Sequence, residues 1–127
     1  MKLLLDTHTF LWFIEDNPRM SQRIRTLLSE KDEVFLSSAS LWEIAIKLSI
    51  GKLSISATYD EFIPKQLNIN RIEVLHIKVS HLAVVSRLPF HHRDPFDRLM
   101  IAQAMVEQLP IASADSVFEA YQVSRVW

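Results

Sequence analysis

The chain has 127 residues, 49% of them hydrophobic, and a formal net charge of -1; this fits one compact domain over residues 1–127 with a full apolar core. The absence of cysteine excludes disulfides and thiolate zinc sites, and no apolar run is long enough to span a bilayer. The near-neutral charge excludes recruitment to nucleic acid by a global positive field, although acids gathered around a bound cation would also give a neutral total.

In chain order, Lys2 to Leu5 reads as a short buried strand that runs into Asp6, and Thr7 to Ile14 as a helix closed by the polar turn Glu15-Asp16-Asn17-Pro18. The opening Met1-Lys2-Leu3-Leu4-Leu5 is too short for an export signal, so a soluble, cytoplasmic protein is expected, with no membrane partner. Ser21 to Ser29 is predicted helical and Val34 to Leu36 a strand; Ser38-Ala39-Ser40 opens a third helix that ends before Gly51. Gly51 is the sole glycine, placed where a helix C-cap takes positive φ, and its being alone rules out a glycine-rich phosphate loop. Thr58 to Leu67 reads as a helix in spite of Pro64, Ile72 to Leu75 as a strand, and Val79 to Leu88 as a helix stopped by Pro89. Asp94-Pro95 starts a helix that lasts to about Gln108; Ile111-Ala112 is a strand, Ser116 to Tyr121 a short helix, and Val123 to Val126 a last strand. Short apolar strands alternating with helices predict an α/β three-layer sandwich around a parallel sheet.

Such sheets bind ligands beyond the carboxyl ends of their strands. Asp6 and Asp115 follow strands at that edge, and Glu43 and Asp97 are expected in the first turns of helices entered from it, so four carboxylates face one crevice. Carboxylates within about 4 Å repel by roughly 4 kcal/mol per pair at an effective dielectric near 20, a cost that a cation or protons must offset. Hard oxygen donors suit Mg²⁺ or Mn²⁺, which can polarise a phosphodiester and lower the pKa of an attacking water without a side-chain nucleophile.

Each acid also has a structural use. Ser40-Leu41-Trp42-Glu43 has the spacing of a capping box, and Lys47 is placed for an ion pair with Glu43. Asp94 suits an N-cap ahead of Pro95, with Asp97 favoured by the helix dipole. Asp115 can cap the short helix that follows it. Asp6 is the hardest to explain structurally, because a carboxylate at the end of a central strand must be solvated or paired.

The segments Leu4-Leu5-Asp6-Thr7-His8, Ser40-Leu41-Trp42-Glu43-Ile44-Ala45-Ile46-Lys47, His92-Arg93-Asp94-Pro95-Phe96-Asp97-Arg98 and Ala112-Ser113-Ala114-Asp115 resemble the signature segments of PIN-domain proteins, specifically VapC-like toxins. The likeness extends to Ile101-Ala102-Gln103-Ala104 and the ending Val126-Trp127. It implies strand order 3-2-1-4-5, with Asp6, Glu43, Asp97 and Asp115 as catalytic, metal-binding acids. It also implies a Mg²⁺- or Mn²⁺-dependent endoribonuclease acting as a toxin, with RNA as substrate, a cognate antitoxin as partner, and a homodimeric assembly. Ser113 stands where the family usually carries threonine and keeps the hydroxyl.

Arg87, His91, His92, Arg93 and Arg98 surround the third acid and suggest a local positive rim for phosphates. Adjacent histidines do not easily face one ion, so His91 and His92 are not taken as ligands. Thr7, His8, Ser113 and Asp94 are candidates for supporting hydrogen bonds around the acids. Trp12, Phe13, Ile14 and Trp42 read as core, with any exposed part a docking patch for the antitoxin. Two other classes compete. A phospho-acceptor receiver domain is also a small α/β sandwich with acids and Mg²⁺, but it needs adjacent acids after the first strand, and here Leu5 precedes Asp6. A catalytically inactive PIN-like module that only binds RNA or protein would not need all four acids.

Overall fold

The computed structural model describes residues 2–30 and 33–127. Five short strands, β1 (Leu3–Leu5), β2 (Val34–Ser37), β3 (Ile72–Leu75), β4 (Ile111–Ala112) and β5 (Arg125–Val126), form one parallel sheet in the order β3-β2-β1-β4-β5, as the sequence implied. β1 is central, with Leu4 opposite Phe35 on one side and Ile111 on the other. The helices are α1 (Thr7–Ile14), α2 (Gln22–Ser29), α3 (Ser38–Ser49), α4 (Tyr59–Ile69), α5 (Val79–Val85) and α6 (Pro95–Glu107), with a short 3-10 helix at Ser116–Ala120.

β1 explains why the strands read as unbroken apolar runs. Leu3 and Leu5 point into one apolar cluster with Phe10, Leu11, Ile24, Ile44 and Ile63, whereas Leu4 points into the other with Met100, Ile101, Ile111 and Phe118. A strand covered on both faces has no polar side to alternate with. α1 to α4 therefore pack on one face and α5, α6 and the 3-10 helix on the other, giving three layers. Each large apolar side chain so buried contributes roughly 1.5–3 kcal/mol.

Several boundaries differ from the sequence reading for local reasons. Lys2 is exposed and outside β1. α4 runs through Pro64 to Ile69; Pro64 and Asp60 are both exposed, so the carbonyl that loses its N–H partner has access to water. α5 stops at Val85, short of Leu88, and β5 is only Arg125–Val126 rather than Val123 to Val126. Gly51 follows α3 with φ +75, the left-handed turn expected of it. Among the described residues no helix is long and apolar enough to cross a membrane.

Candidate metal centre

The chain reverses direction across the sheet on either side of β1, the switch point at which such sheets open a crevice beyond their carboxyl ends. Asp6 leaves β1 at that point and is nearly enclosed, at 5% exposure. Its backbone N–H donates to the Ala112 carbonyl at 3.1 Å, and its Oδ1 caps α1 by accepting the Thr9 N–H at 2.8 Å. The Ser113 side chain lies beside the Asp6 carboxylate, whose pKa it lowers, and its hydroxyl accepts the Asp115 N–H at 3.0 Å, so one small residue stands between the two acids. Asp115 caps the 3-10 helix through the Val117 N–H at 2.9 Å. Asp94 caps α6 through the N–H groups of Phe96 at 2.8 Å and Asp97 at 3.1 Å, which places Asp97 in the first turn.

Glu43 is positioned differently from the sequence expectation. The N-cap of α3 is Ser37, which accepts the Ala39 N–H at 3.0 Å, so Glu43 lies in the second turn and no capping box with Ser40 forms. Ser40 and Glu43 turn instead to Thr7: its hydroxyl lies 2.9 Å from Ser40 Oγ and donates to Glu43 Oε1 at 2.7 Å. Lys47 Nζ is 3.0 Å from Glu43 Oε2, the helical pair anticipated from spacing.

The electrostatics separate these acids. Burial, followed by the charges of Asp94, Asp6, Glu43 and Asp115, pushes the Asp97 carboxyl from the usual carboxylate range up to about 8. Burial also raises Asp6, opposed by its hydrogen bonds from Ser113 and Thr9. Among the described residues, Glu43 is the one of these acids with a lysine partner. The set is a group of hard oxygen donors whose mutual repulsion a divalent cation relieves, and it fits Mg²⁺ or Mn²⁺. Among the described residues, His92, Asp97 and Asp115 each bring one possible ligand atom within 4.8 Å of the others, and Asp6 and Glu43 are close enough for their charges to act on Asp97.

The surroundings differ more from expectation. His91 turns away onto the Tyr121 ring at 5.2 Å, whereas His92 Nε2 lies 3.0 Å from both Asp97 Oδ2 and Asp115 Oδ2. Arg98 does not form an open rim. It is buried, and its guanidinium donates to the carbonyls of Pro89, His92, Val85 and Leu88, tying down the loop ahead of α6. Arg93 and Arg87 remain exposed. A cleft of about 380 Å³ beside Asp6 and Asp115 is lined by His8, Trp12, Arg19 and Ala114, and the Arg19 guanidinium lies 5.9 Å from the Trp12 ring centre. Arg19 carried no signal in the sequence, since it belongs to a turn far in the chain from Asp115. Trp42 stays 62% exposed, edge-on to Phe96 at 5.4 Å.

The PIN domain family model matches residues 3–123. No curated protein matches the chain significantly. Among solved structures, VapBC2 from Rickettsia felis bound to a DNA fragment from their promoter superposes with a TM-score of 0.73 at 17% identity, covering 99% of this chain and 98% of that one. FitAcB from Neisseria gonorrhoeae gives 0.70 at 17% identity over 98% and 96%, and a toxin-antitoxin complex from Klebsiella pneumoniae gives 0.67 at 12% over 98% and 96%. At these identities the superpositions establish the fold. With the family model spanning nearly every residue, the chain belongs to the PIN domain family, whose members are generally nucleases.

Proposed function

We propose that the chain is a Mg²⁺- or Mn²⁺-dependent endoribonuclease, a single PIN domain that acts in the cytoplasm as the toxin of a toxin-antitoxin pair. The observation that carries the chemistry is the Asp97 carboxyl, held near 8 by burial and by the carboxylates gathered around it. A group so perturbed, in a crevice at the switch point of the sheet, marks a functional site. A bound divalent ion supplies Lewis-acid polarisation of the scissile phosphate and lowers the pKa of a water.

The chain's own residues prepare that site. Asp6 and Asp97 are the proposed principal ligands and Asp115 a third. Glu43 is oriented by Thr7 and Lys47, and Ser113 fixes the relative positions of Asp6 and Asp115. Arg19 and His8 at the cleft, with Arg93 on the α6 side, give phosphates a local attraction that the net charge of -1 does not. The antitoxin is proposed from a neighbour described as a toxin-antitoxin complex and the homodimeric state from the resemblance to VapC-like toxins, with exposed Trp42 as the aromatic surface left for a partner.

The test is Mn²⁺-dependent cleavage of RNA by the purified chain and by Asp6→Asn. Loss of cleavage with retained fold is expected; undiminished cleavage by a contaminant-free variant would rule the proposal out. For the toxin role, expression in the native host should arrest growth, and Asp97→Asn should relieve the arrest. Growth unaffected by the wild-type chain would count against that role while leaving the nuclease chemistry standing.

A further inference from the structure

His92 stands among the acids without being one of them, and the hydrogen bonds on its ring decide what it does there. Its Nδ1 accepts the Asp94 backbone N–H at 3.2 Å. A nitrogen that accepts uses its lone pair, so the ring proton resides on Nε2. That nitrogen faces Asp97 Oδ2 and Asp115 Oδ2, each at 3.0 Å. A metal-bound histidine has the opposite arrangement: the ligating nitrogen gives up its proton and the other donates its own to an acceptor. Here the backbone offers a donor where a ligand histidine needs an acceptor.

We infer that His92 is a positioning residue, not a ligand: its Nε2–H donates to Asp115, Asp97 lies at the same 3.0 Å from that nitrogen, and the ring presets the spacing of these two carboxylates for a cation. The inference rests on the metal-dependent reading of the site and deepens it. Asp97 comes from α6 and Asp115 from the loop after β4, two elements with no direct bond between their carboxylates, which would otherwise repel. A donor from the loop ahead of α6 sets between them one hydrogen bond, to Asp115, and a 3.0 Å polar contact to Asp97. The loop is rigid enough to supply it. Arg98 holds the carbonyls of Pro89 and of His92 itself, the Tyr121 hydroxyl accepts the His92 backbone N–H at 2.8 Å, and the ring rests on Phe118 at 5.7 Å.

The first readout is the protonation of the His92 ring in the intact chain, by long-range ¹H–¹⁵N NMR with ¹⁵N-histidine, before and after Mg²⁺. A proton on Nε2 in both conditions is expected. An Nε2 that is unprotonated, or that loses its proton to become a ligand when Mg²⁺ is added, overturns the inference. The second readout is Mn²⁺ affinity measured calorimetrically. His92→Ala should weaken it about 10- to 100-fold, and His92→Gln, which keeps an N–H at a similar reach, should recover most of the loss. Mn²⁺ binding that is intact and indifferent to His92→Ala sinks this inference alone. A wild-type chain that does not bind Mn²⁺, matching Asp6→Asn, would remove the metal site and this inference together.

Discussion

Two histidines of this protein use the same hydrogen bonds for different ends. His81, fully buried in α5, accepts the Lys78 N–H on Nδ1 at 3.0 Å and meets Glu107 of α6 through Nε2 at 2.7 Å. His92 accepts the Asp94 N–H and meets a carboxylate pair. At the first site a lysine completes the charge balance, Lys78 Nζ lying 3.3 Å from Glu107. The hydrogen bond from His81 is the main cause holding the Glu107 carboxyl below its ordinary range. At the second site no lysine among the described residues joins Asp97, further carboxylates surround it, and its proton is held up to about 8. One arrangement is satisfied by the protein and clamps two helices. The other gathers carboxylates that only a retained proton or a cation neutralises, which is the electrostatic difference between a structural pair and a cation site.

The two sites should differ most in activity. Asp97→Asn should abolish Mn²⁺-dependent RNA cleavage, and Glu107→Gln should leave it within a few-fold of wild type in the same assay. The order reverses for stability. His81→Ala opens a cavity and strips partners from Glu107 and the Lys78 N–H, so chemical denaturation should report a loss of roughly 2–4 kcal/mol, with Mn²⁺ affinity unchanged.

The two carboxyls also predict opposite pH trends. Asp97 is raised, so the folded metal-free protein holds a proton that the unfolded chain has released; stability attributable to it falls as pH rises from the ordinary carboxylate range to about 8. Glu107 is lowered, so its contribution is present above its ordinary pKa and is lost as pH falls through the depressed folded value. A cation must displace the Asp97 proton, so melting scans should show a Mn²⁺-induced gain that is larger near pH 8. Saturation at about 100 times Kd corresponds to about 2.7 kcal/mol. The smallest effect is expected from Lys78→Met, which removes an exposed counter-charge at a cost of about 1 kcal/mol or less and leaves Mn²⁺ binding alone.

What was legible in the sequence follows from what is local. The periodicity of Leu3-Leu4-Leu5, the Asp94-Pro95 start and the single glycine placed elements because each signal acts within a turn or two of itself. Asp6 and Asp97 were readable as candidates because a carboxylate at a strand end and one in a helix's first turn are fixed by neighbouring backbone. The capping-box alternative for Glu43 does not form because Ser37, three residues earlier than Ser40, takes the N-cap. Arg98 looked like a surface charge because composition cannot show that four carbonyls of the preceding loop converge on it. His92 was set aside with His91 on the ground that adjacent histidines diverge. They do, and the divergence sends one to Tyr121 and the other to Asp97 and Asp115.

The most direct measurement is anomalous diffraction from a crystal of the full chain grown with Mn²⁺. A peak bounded by the carboxylates of Asp6, Asp97 and Asp115 is expected, with His92 Nε2 directed at the acids rather than at the ion. No peak at this edge of the sheet, or Mn²⁺ found instead at Glu107, would contradict it.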